Sequence, residues 1–195
     1  VFISGSAEVY SPFERQEAID FIHQLSKELI ESDLRVVNGF GWGVGSSVIN
    51  GALEAIYSRP MKYSESQLVL RPFPQFQTGN TELKQLWEDY RQKMISLCGI
   101  SIFIFGNKKQ NDEIVEANGV IREFEISHEL GNICIPIAAT EFAAKSIYER
   151  IMPQLDEYYP KPELAKKYLN ILADDKIKLL DKVPKVIEFI NRLSK

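Results

Sequence analysis

Short apolar runs alternate with apolar stripes of helical spacing along the first 137 residues. Five apolar runs predict buried strands, at 1–6, 34–37, 67–70, 100–105 and 133–137. Between the runs, apolar residues recur at steps of three and four, which predicts amphipathic helices over 14–32, 49–56, 83–94 and 120–130. Strands that alternate with helices in this way are typical of a parallel sheet that is covered on both faces.

The remaining segments follow a different pattern. Two prolines and a glycine between 72 and 81 predict a loop, and so does the polar stretch from 107 to 119. Beyond Pro153 only short helical patterns recur, at 163–172 and 184–193. The sequence therefore predicts an α/β, Rossmann-like, three-layer fold with a parallel sheet and a helical C-terminal cap, and residues 1–195 are expected to form one domain.

Glycine occupies alternate positions directly after the second predicted strand, at Gly39, Gly41, Gly43 and Gly45. This spacing lets the backbone approach a ligand and present N–H groups, and the helix that follows favours a phosphate at its N-terminus. The spacing does not match the dinucleotide fingerprint, so the loop could instead only permit tight packing of strand against helix. Trp42 favours a binding role because its ring can stack on a base, although it could also pack on the core.

Three further candidates flank the ends of predicted strands. Gly5 and Ser6 form a small-residue turn that could complete a phosphate nest, or a turn without a ligand. Lys108 follows the fourth strand, where a cation could meet a phosphate or simply face solvent. All of these positions belong to the edge of a parallel sheet where ligands bind.

Two charged residues lie near the apolar stripes of their helices. Arg91 lies at the flank of its stripe, where a guanidinium could reach a phosphate or carboxylate, or could extend to solvent as an ordinary surface arginine. Glu123 lies on the same face as Ile126 and Leu130, near the start of its helix. It could bind ribose hydroxyls or act as a general acid/base, or it could cap the helix or pair with Arg122.

Composition and charge exclude several classes of protein. The 195 residues carry 23 basic and 27 acidic side chains, a formal net charge of −4, so a nonspecific nucleic-acid binder is not expected. No apolar run approaches the roughly 18 residues of a membrane span. Cys98 and Cys134 lie in apolar stretches and indicate buried thiols in a reducing, cytoplasmic compartment. His23 and His128 have no partners at the spacing of a catalytic relay or a metal site, so the sequence predicts neither a catalytic relay nor a metal site.

The combined motifs resemble the SLOG superfamily, which includes the cytokinin-activating phosphoribohydrolases. The shared features are the Gly5–Ser6 turn, the glycine loop, and a helix with an arginine and a lysine, Arg91 and Lys93, separated by one residue. The superfamily's Pro-Gly-Gly-x-Gly-Thr-x-x-Glu loop is altered here. Phe105 and Gly106 stand at its start, about a dozen polar residues follow, and the helix resumes at 119–123. Because hydrolysis needs rigidly held geometry, this change favours binding over catalysis.

Three segments, FGWGVGSSVINGALE, LCGISIFIFGNK and NGVIREFEISHELGN, are similar to SLOG domains attached to NAD-hydrolysing effectors of Thoeris anti-phage defence. This resemblance implies a regulatory sensor, not itself an enzyme. It would bind a cyclic ADP-ribose isomer made by a TIR-domain protein and activate an attached sirtuin-like NADase domain in a homo-oligomer. A chain that begins at Val1 rather than Met is expected to be part of such a longer protein.

The resemblance also implies roles for individual residues. Arg91 and Lys108 would meet the phosphates, Glu123 would accept from ribose hydroxyls, and Trp42 or Phe105 would cover the base. The implied ligand-binding residues are Gly5, Ser6, Gly41, Trp42, Gly43, Arg71, Arg91, Phe105, Gly106, Lys108, Gly119 and Glu123. Two alternatives stay open, an N-glycosidase that uses Glu123 and Arg91, and an oligomerisation module with a vestigial pocket.

Overall fold

A computed structural model of the protein describes residues 1–77, 79 and 81–193. Its strands are β1 (Phe2–Ser6), β2 (Val36–Asn38), β3 (Leu68–Leu70), β4 (Ile100–Phe105), β5 (Asn107–Gln110), β6 (Glu113–Glu116) and β7 (Ile133–Pro136). Its α-helices are α1 (Arg15–Glu31), α2 (Gly45–Ser58), α3 (Leu83–Ile95), α4 (Asn118–Glu129), α5 (Phe142–Ile151), α6 (Leu155–Tyr158), α7 (Pro162–Ala173) and α8 (Leu179–Leu193).

Five strands form a parallel sheet in the order β3-β2-β1-β4-β7. The chain builds outward from β1 through β2 to β3, then returns to place β4 on the other side of β1. This reversal creates a topological switch point between β1 and β4. In open α/β sheets ligands bind at the carboxyl ends of the strands beside such a point, which directs attention to the residues that follow β1 and β4.

Both faces of the sheet are buried, because neighbouring strand residues enter different clusters of the core. Phe2 packs with Met94 and Ile95 of α3, whereas Ile3 joins the larger cluster that contains residues of α1, α2 and the C-terminal helices. α8 packs against α1 and α7, so the C-terminal helices cover one face of the molecule. The predicted Rossmann-like α/β fold and its helical cap are confirmed.

The segment from 107 to 116, predicted as a loop, is an antiparallel hairpin of β5 and β6. Its turn residues Asn111 and Asp112 have φ values of 51° and 62°. A two-residue turn with positive φ at both positions matches the twist of a hairpin and favours Asn, Asp and Gly. The prediction of a loop was wrong because the hairpin is mostly polar and exposed, so no alternation of apolar residues marks it.

Other boundaries differ by a few residues. The helix α5 was not predicted, although its buried residues Ala143, Ala144, Ile147 and Ile151 follow helical spacing. α8 begins five residues before the predicted start and contains Pro184 within its first turns. Residues 72–77 form a loop as predicted, whereas positions 78 and 80 of that segment lie outside the described residues. None of the described helices is long and apolar enough to cross a membrane.

Candidate ligand-binding site

The loop after β1 and the glycine loop after β2 lie in direct contact. The amide of Ala7 donates to the carbonyl oxygen of Trp42 at 2.8 Å. A Cβ atom added at Gly41 would lie 2.0 Å from the carbonyl oxygen of Gly5, and one added at Gly5 would lie 2.5 Å from the carbonyl oxygen of Ile104. Three backbone segments therefore approach one another at the switch point more closely than side chains would permit.

A cavity of about 330 Å³ opens at this edge of the sheet. Its walls come from the end of β1, the glycine loop, the loop after β3, the hairpin and the first turns of α4. Its lining residues include Ser4, Gly5, Ser6, Asn38, Phe40, Gly41, Phe73, Gln75, Lys108, Gly119 and Glu123. The structure thus brings six of the predicted site residues to one cavity: Gly5, Ser6, Gly41, Lys108, Gly119 and Glu123.

Glu123 is the buried acid of this cavity. Its side chain extends from the second turn of α4, where Ser4 Oγ donates to Oε2 at 2.5 Å. Burial raises the pKa of Glu123 above the ordinary value of a glutamate, while the Ser4 hydrogen bond and the charge of Arg91 oppose that rise without cancelling it. A carboxylate held in this way can accept hydrogen bonds from ligand hydroxyls, and it carries a proton more readily than a surface glutamate.

Arg91 is the counter-ion of Glu123. Its Nε lies 3.6 Å from Glu123 Oε1, and its guanidinium lies over the ring of Phe73 at 5.0 Å from the centroid. Within the described residues, the buried Nε has no hydrogen-bond partner. Nη2 is 3.1 Å from the position of a Cβ on Gly119, so a side chain there would crowd the guanidinium. Arg91 therefore retains an unused donor beside the cavity wall.

The raised pKa of Glu123 predicts a pH-dependent stability difference. The folded state holds the proton at pH values where the unfolded chain has released it, so this group's contribution to stability is greatest at low pH and is lost as pH rises through the folded pKa. Relative to wild type, Glu123→Gln should gain stability as pH rises, by at most about 1.4 kcal/mol per pH unit. Denaturant titrations from pH 4 to 8 measure it, with the exposed Glu113→Gln as control. A constant difference would contradict the prediction.

The hairpin supplies a cation and a clamp. Lys108 Nζ donates to Asn118 Oδ1 at 2.7 Å, at the first residue of α4. The buried Asn107 accepts from the amides of Glu8 and Val9 at 2.9 and 3.1 Å, and its Nδ2 donates to the carbonyl oxygen of Val9 at 2.9 Å. Asn107 therefore fixes the loop after β1 to the hairpin, and Lys108 reaches the cavity beside that junction.

A second, larger cavity of about 770 Å³ adjoins the first. Phe40, Gly41 and Gln75 line both cavities. Trp42 lines the second cavity with its side chain 73% exposed, which leaves a ring face free for a stacking partner. Gly43 also lines this second cavity, where its backbone has a φ of 70°.

Four predicted residues line neither cavity, and one of them is Arg91, which lies behind Glu123 and Phe73. The ring of Phe105 is fully buried and contacts Tyr10 edge to face with centroids 5.6 Å apart, so in this structure it cannot cover a ligand base. Gly106 is buried with a φ of 93°, and a Cβ there would lie 2.4 Å from Cβ of Ala143. Arg71 follows β3 with an exposed side chain and is not among the lining residues of either cavity.

Comparison with known proteins places the chain in a family. The model of the "Sir2- and TIR-associating SLOG family" matches residues 1–193. The chain is 42% identical over its whole length to a Bacillus cereus (strain MSX-D12) protein named NAD(+) hydrolase ThsA, of which it covers 40%. It is 36% identical over 97% of its length to the Acinetobacter baumannii (strain 532279) protein of that name, and 34% identical over 99% to the Enterococcus faecium one.

The chain belongs to the Sir2- and TIR-associating SLOG family. It spans about 40% of the length of the ThsA relatives that it matches. The family membership confirms the SLOG resemblance that the sequence motifs predicted. Across the described residues of this SLOG chain, no group of three or more His, Cys, Asp or Glu side chains could hold a metal ion.

Sequence reasoning missed several residues of the SLOG cavity. Asn38 Nδ2 donates to the carbonyl oxygen of Ile3 at 2.9 Å, and its Oδ1 accepts from the amide of Phe40 at 2.8 Å. The side-chain amide of Asn38 thus holds the backbone of Phe40, which has a φ of 59° and lies between the two cavities. An asparagine that ends an apolar run was the available signal for Asn38. Ser4 gave none, since a serine within a strand is common.

Proposed function

We propose that this SLOG domain is a regulatory sensor that binds a cyclic ADP-ribose isomer and thereby activates an attached NAD-hydrolysing domain. The observation that carries the proposal is Glu123, which lines a cavity formed by close backbone loops and has Arg91 directly behind it as its counter-ion. Such a ligand contains a diphosphate and two riboses. The diphosphate needs a cation and backbone N–H groups, and the ribose hydroxyls need a carboxylate as hydrogen-bond acceptor.

Different residues of the two cavities bind different parts of the ligand in this proposal. The backbone around Gly5, Ser6 and Gly41 faces the diphosphate, with Arg91 and Lys108 as its counter-ions. Glu123 accepts hydrogen bonds from ribose hydroxyls while Ser4 holds its other oxygen. The adenine lies in the adjoining cavity, where the exposed ring of Trp42 supplies a stacking surface.

The comparisons support the regulatory setting. The relatives are named as NAD(+) hydrolases and are more than twice as long as this chain. The name of the family associates it with Sir2 and TIR domains. We infer that a Sir2-like domain outside the matched 40% hydrolyses NAD, that a TIR-domain protein supplies the signal, and that the protein acts as a homo-oligomer in the cytoplasm.

Titration calorimetry with individual cyclic ADP-ribose isomers tests the proposal. We expect one isomer to bind tightly and to be recovered intact by chromatography after the titration. The cations of this acidic chain are few at the cavity, so affinity should depend on named side chains rather than on bulk charge. Absence of binding by every isomer would overturn the sensor role and favour an oligomerisation module.

A second candidate function is nucleotide N-glycosidase activity. The observation that favours it is the raised pKa of the buried Glu123, since a general acid must hold its proton near neutral pH. In that mechanism Glu123 would protonate the departing base, water would add to the anomeric carbon as the N-glycosidic bond breaks, and Arg91 would hold the phosphate. Release of free base or ribose phosphate in the chromatographic step would identify the enzyme, and intact ligand would identify the sensor.

Replacement of Trp42 by alanine tests the position of the base. Stacking of a base on an aromatic ring is worth about 1–3 kcal/mol, so Trp42→Ala should weaken binding of the cyclic ADP-ribose isomer roughly 5- to 100-fold. The free energy of unfolding should change little, because the side chain is 73% exposed. Tyr57→Ala, which removes another exposed aromatic ring, is the control. Equal affinity in both variants would move the base away from Trp42.

A further inference from the structure

The helix α3, which carries Arg91, is poorly anchored by apolar packing. Of its 13 residues only Met94 and Ile95, both in the last turn, are buried. Most of the stability of a helix in a protein comes from the packing of an apolar face. The first turns of α3, including the turn that presents Arg91, therefore depend on other contacts for their position.

The charged contacts among them come from α4. Arg122 donates from Nε and Nη2 to Glu88 Oε1, at 2.9 and 2.5 Å. Glu88 precedes Arg91 by three residues, so the two side chains share one face of α3. On α4 their partners Arg122 and Glu123 are adjacent. Two ion pairs of opposite direction, Glu88–Arg122 and Arg91–Glu123, thus join the helices.

The guanidinium of Arg122 is also held by residues of its own helix. Its Nη1 donates to Glu125 at 3.0 Å and to Glu129 at 3.2 Å, both on its own helix. These contacts keep the guanidinium on the side of α4 that faces Glu88. Arg122 therefore links the position of α3 to α4, the same helix that carries Glu123.

α3 also contacts the loop after β3, which forms part of the cavity wall. Trp87 Nε1 donates to the carbonyl oxygen of Pro74 at 2.7 Å, and the ring of Tyr90 lies 5.6 Å from that of Phe73. Phe73 lines the cavity and contacts the guanidinium of Arg91. A displacement of α3 would move Arg91 and this wall together.

We propose that Arg122 is a positioning residue of the ligand site, which holds Arg91 and the Phe73 wall in place by anchoring α3 through Glu88. Arg122 does not line the first cavity, so its effect on a ligand passes through the placement of α3. The inference about ligand affinity rests on the proposed sensor function, whereas the inference about the position of α3 does not.

Amide hydrogen exchange of residues 83–93 in the free chain tests the anchoring. Arg122→Gln and Glu88→Gln should each accelerate exchange in this segment about 5- to 10-fold, and the double variant should accelerate it no further. Arg122→Lys keeps the charge but not the two-nitrogen contact, and should show a smaller effect. The control is Arg150→Gln, because Arg150 contacts Glu125 from α5, at 3.7 Å, and does not reach α3. Exchange equal to that of the control would overturn the proposal.

Calorimetry with the cyclic ADP-ribose isomer that the wild type binds supplies the second readout. Arg122→Gln should weaken binding about 5- to 10-fold with an unchanged melting temperature, and Arg122→Lys should recover part of the affinity. If the wild type binds no isomer, the proposed function fails while the exchange data still decide the anchoring. Accelerated exchange with wild-type affinity would overturn the positioning role in ligand binding.

Discussion

Arg91→Ala and Glu123→Ala are each expected to abolish detectable binding of a cyclic ADP-ribose isomer. In the proposed complex each truncation removes one side of a buried, charged contact between the protein and the ligand, which typically costs about 2–5 kcal/mol of binding free energy, about 30-fold or more in affinity. In the proposed complex Arg91, whose buried Nε is unpartnered, would supply the charge for the diphosphate, and Glu123 would supply the acceptor for ribose hydroxyls. Calorimetry under identical salt conditions measures both losses.

The same two variants separate a ligand role from a structural one. Arg91→Ala leaves Glu123 buried without a cation, and the carboxyl can respond by taking up a proton, which limits the loss of stability. We therefore expect the melting temperature to change little while binding disappears. Lys109→Ala is the matched control, since Lys109 is the exposed neighbour of Lys108 and pairs with Asp112 in the hairpin. A large fall in stability with unaltered affinity would make the pair purely structural.

The fold was readable from the sequence because its signals are local and strong. The alternation of apolar runs with helical stripes located all five strands of the parallel sheet to within two residues at each end. The hairpin of β5 and β6 was not readable in this way. Its apolar residues Ile114 and Val115 are adjacent, not alternating, and only the Asn111–Asp112 turn marked it.

The candidate site was readable only in part. Strand ends of a parallel sheet meet at one edge, so the loops after β1 and β2 could be placed together from the sequence. The family resemblance assigned Arg91 and Glu123 to one site, but their direct ion pair was not readable from spacing, because the two residues are 32 positions apart and their contact depends on how two helices are rotated. Nor was the burial of Phe105, whose ring is fully buried and packs edge to face against Tyr10.

Gly41 is the position where the smallest substitution should have a large effect. A Cβ there would lie 2.0 Å from the carbonyl oxygen of Gly5, an atom of β1 that cannot rotate away as a side chain would. The glycine loop would have to retreat, and with it the hydrogen bond from the amide of Ala7 to Trp42. Because that movement widens the junction of the two cavities, stability and ligand affinity should fall together.

Gly41→Ala is therefore expected to lower the free energy of unfolding by about 2–3 kcal/mol, a typical cost of overpacking. For a chain of this size that corresponds to a fall of about 4–12 °C in melting temperature. Affinity for the cyclic ADP-ribose isomer should fall at least 10-fold at a temperature where the variant is folded. Gly99→Ala is the matched control, since a Cβ there meets nothing within 4 Å. A wild-type melting temperature for Gly41→Ala would mean that the two loops can separate without a loss of stability. That result would contradict the expectation that ligand binding requires the close approach of the two backbones.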